Sequence, residues 1–349
     1  MSLSCDLFCA VVDNLGDAGV CWRLARQLAA EKGWQMRLWI DDPSPLDLLA
    51  PDHDAAPVEV RRWQGDFAMV EPAEIVIEAF ACELPEAFVA AMAARPRPPV
   101  WINLEYLSAE DWVAGCHGLP SPHPKLPLTK HFFFPGFGPG TGGLILESGA
   151  DFGRPGLSAA LTVSLFCYDN PALPALLDIW ADGAEPMVCR VADGLPRRQV
   201  AAWLDGPFSP GTDARRGALA LHALPFLPQT DYDRLLGSCN LNFVRGEDSF
   251  VRAQWARRPF VWQPYLQAGD AHRLKLEAFL ARYGSGLAEA AAVHGFWRAW
   301  NGLGDVGSTW PAFRAALPAL LAHAGPWAGK IAAAGDLATN LETFCRARL

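Results

Sequence analysis

The sequence predicts an α/β protein of two Rossmann-like domains, and three observations predict it. A short all-apolar run near the N-terminus is followed by a loop, an amphipathic helix and a second apolar run, the grammar of a βαβ unit. The same grammar restarts at about residue 161. The chain has 349 residues, 51% of them hydrophobic, which exceeds the usual single-domain size and suffices for two cores.

Composition excludes several classes. Gly (31) and Pro (29) are dispersed rather than packed into a low-complexity block, so disordered, collagen-like and coiled-coil readings fail. The formal charge of -9, without a long like-charge run, argues against a nucleic-acid binder. Nine cysteines without CxxC pairing read as buried thiols in a reducing compartment. No signal-like start or membrane-length apolar run is seen, which predicts a cytoplasmic protein without a membrane partner.

Strand one is predicted over Leu7 to Val12, followed by the loop Asp13-Asn14-Leu15-Gly16-Asp17-Ala18-Gly19. Val20, Trp22, Leu24, Ala25, Leu28 and Ala29 then form a helical face ending at Gly33, and Met36 to Ile40 makes the next strand. Further strands fall at Ile75 to Ile77 and Val100 to Asn103, with a helix from Pro85 to Ala94 between them. Leu119 to Gly143, rich in Pro, Gly and aromatics, reads as a long functional loop, and a domain boundary is expected near Asp151 to Gly156.

The second series has strands at Leu161 to Phe166, Met187 to Val191, Ala218 to Leu224, Leu241 to Val244 and Phe260 to Trp262. Helices alternate with them from Pro171, Leu195, Asp231 and Ser249, and Ala-rich helices run from Lys275 to the C-terminus.

Three constellations can carry chemistry. Asp13 and Asp17 stand in a loop beyond the carboxyl end of a strand, where α/β sheets hold ligands. Gly16 and Gly19 resemble part of a dinucleotide fingerprint, but the first Gly is missing and two carboxylates would repel a pyrophosphate. Asp17 could be a helix cap; alternatively, the two carboxylates hold a cationic acceptor or accept a proton. The second stretch, Arg245-Gly246-Glu247-Asp248-Ser249, runs from a strand through a Gly turn into a helix N-terminus, an anion site by geometry. There Ser249 and Arg245 suit a diphosphate and Glu247 suits ribose hydroxyls, although an ordinary acidic first turn would look the same. The third comprises Phe166 and Tyr168 at one strand end with Phe226 and Gln229 at another. The phenylalanines can be core, whereas Tyr168 and Gln229 suit hydrogen bonding in a nucleotide pocket. His117 and His123 lack metal-ligand spacing and read as solvated or hydrogen-bonded loop residues.

Long stretches of the chain resemble the protein-arginine rhamnosyltransferases that modify bacterial translation elongation factor P. They are VVDNLGDAGVCWRLARQLA from Val11, IEAFACELPE from Ile77, WINLEYLSAEDWV from Trp101, GLPSPHP from Gly118, FFFPGF from Phe132 and LNFVRGEDSFVRAQWA from Leu241. The resemblance implies the GT-B fold, two Rossmann-like domains facing a central cleft. Its expected parts are an acceptor-binding domain over 1–153, a nucleotide-sugar domain over 154–325, and a C-terminal helix in 326–349 packing back on the first domain.

It also implies an inverting enzyme that moves L-rhamnose from dTDP-β-L-rhamnose to an arginine in the N-terminal domain of elongation factor P, without metal or other cofactor. By position, Asp13 and Asp17 fall on the family's catalytic aspartates. Asn14, Gly16, Phe166, Tyr168, Phe226, Gln229, Arg245, Glu247, Asp248 and Ser249 are carried as donor-binding. No role is assigned to residues 263–267. The alternatives are another nucleotide-sugar glycosyltransferase, an NAD-dependent oxidoreductase or a non-catalytic nucleotide-binding protein.

Overall fold

The structure, a computed structural model, describes residues 2–13, 15–63, 70–154, 156 and 160–349. It divides into two compact units, residues 1–149 with 330–349, and residues 150–329.

The first unit contains β1 (Ser4–Cys9), α1 (Gly16–Lys32), β2 (Gln35–Ile40), α2 (Ser44–Leu49), β3 (Val58–Arg62), β4 (Ile75–Ala79), α3 (Glu86–Ala94), β5 (Val100–Leu104), α4 (Val113–Cys116), β6 (Pro120–Pro122) and β7 (Thr129–Phe133). Its sheet runs β3-β2-β1-β4-β5-β7-β6, parallel throughout except that β6 is antiparallel to β7. Strand order therefore reverses between β1 and β4, and the loops leaving those two strands border the place where such sheets hold ligands. Phe8, Trp39, Val76, Phe88 and Trp101 form the core cluster to which α3 contributes. The α1 residues Trp22, Leu24, Ala25 and Leu28 are all buried, as their helical spacing requires.

The apolar run does not continue as a strand to Val12. β1 stops at Cys9, because Val11 N–H donates to Asp41 Oδ1 and Val12 N–H to Asp17 Oδ2, each at 2.9 Å, rather than to a sheet neighbour. Val12 is 73% exposed. α1 likewise begins at Gly16, four residues before the first apolar position of its pattern. The stretch from Leu119 to Gly143 is not all loop, since it contains β6 and β7. β7 finds a parallel partner in β5, and β6 tolerates its prolines because it is the sheet edge.

The second unit contains β8 (Leu161–Leu165), α5 (Leu173–Asp182), β9 (Met187–Val191), α6 (Leu195–Leu204), β10 (Asp213–Arg216), β11 (Leu219–Ala223), α7 (Gln229–Ser238), β12 (Leu241–Arg245), α8 (Asp248–Trp255), β13 (Phe260–Gln263), α9 (Ala271–Tyr283) and α10 (Ala290–Trp300). Its sheet runs β10-β11-β9-β8-β12-β13, parallel apart from β10, and reverses order between β8 and β12. Trp180, Phe243, Trp297 and Trp300 are fully buried beside it.

α11 (Val306–Ala332) crosses the division, and α12 (Leu337–Arg346) belongs to the first unit. Asp336 caps α12 by accepting the N–H groups of Ala338 and Thr339, and also accepts from Gln27 of α1 at 2.9 Å. No described helix is long and apolar enough to cross a membrane. All nine cysteines are free thiols, seven of them buried.

Candidate active site

At the switch point of the first unit, Asp17 lies on the opening turn of α1 and is 4% exposed. It is not the helix cap: Leu15 holds that position without a side-chain bond. Asp17 reaches back instead, accepting Val12 N–H and Asp13 N–H on Oδ2 at 2.9 Å each, which clasps the loop to the helix. Burial pushes the Asp17 carboxyl above its usual value, while those two N–H bonds pull it down and the neighbouring carboxylates Asp13 and Asp41 push it up.

Asp13 is half-buried. Its carbonyl accepts Gly16 N–H at 2.6 Å, and a Cβ on Gly16 would stand 2.9 Å from Asp13 Oδ2. Glycine at that position leaves room for the carboxylate. Asn14 lies outside the described residues.

The loop leaving β4 shows a feature that sequence patterns did not reveal. Phe80, Ala81 and Glu83 have φ of 58°, 55° and 49°, a left-handed backbone that non-glycine residues rarely adopt. The turn is held by Phe80 N–H to Leu104 O at 2.7 Å, Ala81 N–H to Asn103 Oδ1 at 3.2 Å, and Cys82 Sγ to Phe8 O at 3.5 Å. It stacks the Phe80 ring on Tyr106, centroids 4.4 Å apart at 14°. Asn103 also donates to Glu105 Oε1 at 2.5 Å. A carboxylate and an aromatic pair thus flank the strand beside β1. Both contributing stretches belong to the motifs quoted above, but no residue type in them announces a strained turn.

In the second unit Phe166, Tyr168 and Arg245 gather at the β8/β12 switch. The Arg245 guanidinium lies over the rings of Phe166 and Tyr168, its Cζ 4.5 and 4.4 Å from their centroids. Phe166 meets Tyr232 edge-on, and Tyr168 meets Tyr265 likewise, so the 263–267 segment borders this cluster. Gln263 in that segment accepts Tyr168 N–H at 2.9 Å. Gly246 turns with φ of 62°, and α8 opens at Asp248 without a side-chain cap. A helix opening of this kind turns its first N–H groups toward the end of the strand before it.

Ser249 is spent otherwise than expected. Its hydroxyl donates to Arg245 O and accepts Arg245 N–H at 3.1 Å, which fixes the turn. Gln229, 4% exposed, donates to Asp248 Oδ2 at 3.2 Å. Glu247 and Phe226 are half-buried, so Phe226 is not a core residue. His117 and His123 each accept backbone N–H bonds, and burial lowers the His117 pKa. Among the described residues no group of three or more His, Cys, Asp or Glu could hold a metal ion.

Two units, each built on a mainly parallel sheet with a switch in strand order, make the GT-B fold. Spinosyn forosaminyltransferase SpnP shares that fold, with TM-score 0.51 at 12% identity over 99% of this chain and 100% of its own. Residues 5–155 and 150–346 match the family described as Elongation-Factor P (EF-P) rhamnosyltransferase EarP, and the chain belongs to that family. It is 48% identical to the protein-arginine rhamnosyltransferase of Pseudomonas putida, over 99% of both chains. Against that of Pseudomonas aeruginosa the identity is 45%, over 98% of both. A solved structure described as the basis of EarP-mediated arginine glycosylation of translation elongation factor EF-P aligns over 100% of both chains, with 37% identity and TM-score 0.70. The activity is that of a protein-arginine rhamnosyltransferase.

Proposed function

We propose that the enzyme transfers L-rhamnose from dTDP-β-L-rhamnose to one arginine of translation elongation factor P, in the cytoplasm, with inversion at the anomeric carbon. The observation that carries the chemistry is Asp17: a buried carboxylate, raised in pKa, clasping the loop that bears a second carboxylate. Family membership supports the acceptor, because the solved relative is described as acting on EF-P.

Guanidinium is protonated at neutral pH and its lone pair is delocalised, so no carboxylate can remove its proton in advance. Asp13 orients the cation and balances its charge. A guanidinium nitrogen then attacks the anomeric carbon as the bond to the diphosphate oxygen breaks, and Asp17 takes the proton as attack proceeds. The Phe80 and Tyr106 rings supply a platform on which a planar guanidinium can lie.

On the donor side, Phe226 stacks on thymine, Gln229 and Tyr168 hydrogen-bond in the nucleotide pocket, and Glu247 takes ribose hydroxyls. The leaving diphosphate is stabilised by the α8 N–H groups, with Asp248 and Ser249 in that turn, and by Arg245, whose N–H edges are aimed by its two aromatic neighbours. No metal takes part.

The test is the intact mass of elongation factor P after incubation with enzyme and dTDP-β-L-rhamnose, with NMR of the anomeric centre. One added deoxyhexose in the α configuration is expected. A β product would overturn inversion, and transfer only from a different nucleotide sugar would overturn the donor.

A further inference from the structure

Four residues on two neighbouring helices form a ladder beneath the donor motif. Gln229 and Asp233 are four residues apart on α7, and Asp248 and Arg252 are four apart on α8, so each pair spans one turn. The upper rung includes the bond from Gln229 to Asp248 at 3.2 Å. The lower rung is a fork: Arg252 Nε donates to Asp233 Oδ1 at 2.9 Å and Nη2 to Oδ2 at 2.7 Å. Arg252 is 0% and Asp233 3% exposed. The Phe152 ring lies over the guanidinium, 4.8 Å from Cζ. Its segment can cross α7 because Gly237 lacks a Cβ, which would stand 1.6 Å from Phe152 O.

A buried ion pair adds little net stability over an apolar contact of the same volume, so its presence needs another account. Two parallel bonds between planar groups fix the rotation and the slide of one helix against the other, which an apolar contact leaves loose. The upper rung ends on a half-buried carboxylate, Asp248, whereas both partners of the fork are buried. We propose that Asp233 and Arg252 are positioning residues for the nucleotide diphosphate, setting from one turn below the register of Gln229 against Asp248 and Ser249. This rests on the donor-site reading above.

The experiment compares Arg252→Lys, which keeps the charge but not the fork, with the apolar pair Asp233→Leu and Arg252→Met. Each is measured for melting temperature, for thymidine diphosphate affinity by calorimetry, and for the donor and acceptor KM. In both variants the diphosphate Kd and donor KM should rise about tenfold or more while the acceptor KM stays within about twofold. The apolar pair should recover the melting temperature without recovering the affinity.

Wild-type affinity in the folded lysine variant, or recovery of affinity together with stability in the apolar pair, would overturn the proposal. Should the lysine variant not fold, the apolar pair decides alone. Phe226→Ala and Arg245→Ala go through the same calorimetry. If they weaken binding and the ladder variants do not, positioning alone has failed. If none of the variants weakens it, the donor site has been misplaced.

Discussion

The backbone N–H of Asp13 donates to the carboxylate of Asp17 at 2.9 Å, so the two carboxylates are set relative to each other by the main chain of one and the side chain of the other. Asp17 therefore has a geometric duty besides the chemical one proposed for it, and the two can be separated. Asparagine keeps one oxygen to accept both loop N–H bonds, whereas it cannot take a proton at neutral pH.

Asp17→Asn should accordingly fold, bind thymidine diphosphate as the wild type does, and lose turnover by about a hundredfold or more, the scale of a general base. Circular dichroism, calorimetry and single-turnover assays check this. Turnover close to wild type would end the proton-accepting role, and loss of the fold would reduce Asp17 to the clasp.

The direction of the Asp17 shift predicts opposite pH trends in activity and stability. Proton acceptance needs the carboxylate, so kcat/KM should fall as pH drops through a value above the ordinary carboxylate 3.8. Stability runs the other way. Burial favours the neutral acid, so its contribution is fully present below the unfolded value and is lost as pH rises through the folded one. Relative to Asp17→Asn, the wild type should thus lose melting temperature on going from acid to neutral pH. An arriving guanidinium would draw the carboxyl back toward ionisation, placing the kcat limb below the kcat/KM limb. Identical stability profiles for wild type and Asp17→Asn would contradict the shift.

Sequence legibility tracked the physics of burial. Strands buried on both faces, such as β1, β5 and β12, appear as apolar runs, and the Gly246 turn marked a helix start beside Arg245. Three of the four edge strands were hidden: β3 and β10 carry charges because one side faces no neighbour, and β6 carries prolines for the same reason, whereas the buried edge β13 read as an apolar run. The carboxylate pair was legible as a pair. What Asp17 bonds was not, because a backward reach to Val12 and Asp13 leaves no spacing signature. The left-handed turn at Phe80 to Glu83 uses residues that do not favour it, so only the fold around Asn103 and Leu104 shows it.

Phe226→Ala should weaken thymidine diphosphate binding by ~1 kcal/mol or more, as expected for a lost aromatic stack. The half-buried ring follows β11 and precedes Gln229. Arg245→Lys should weaken it as well, since lysine keeps the charge but not the planar group that lies between Phe166 and Tyr168. Calorimetry on both folded variants decides. An unchanged affinity for Phe226→Ala would place the base elsewhere.

Turnover should survive EDTA to within about twofold if, as proposed, Arg245 and the turn opening α8 offset the charge of the diphosphate. A loss that added magnesium restores would show that a divalent cation shares that task.

The acceptor should be read as a folded protein domain rather than as an arginine. Two carboxylates attract any guanidinium, so Asp13 and Asp17 cannot choose one arginine among many, and further surface must discriminate. The first unit offers that surface. Tyr106 stacks on Phe80 beside the strained turn, and Trp112 and Leu119 are 51% and 49% exposed in the stretch that follows. Tyr and Trp side chains such as Tyr106 and Trp112 are the usual anchors of a protein interface. Turnover should be compared for intact elongation factor P, its isolated N-terminal domain and a peptide copied from the acceptor loop. The domain should match the intact factor and exceed the peptide by about a hundredfold or more in kcat/KM. Tyr106→Ala should raise the KM for the domain while leaving the donor KM unchanged, because the platform is proposed to serve the acceptor alone. Equal specificity constants for domain and peptide would transfer the choice to local sequence. A Tyr106→Ala enzyme with an unaltered acceptor KM would remove the platform from recognition while leaving the carboxylate chemistry standing.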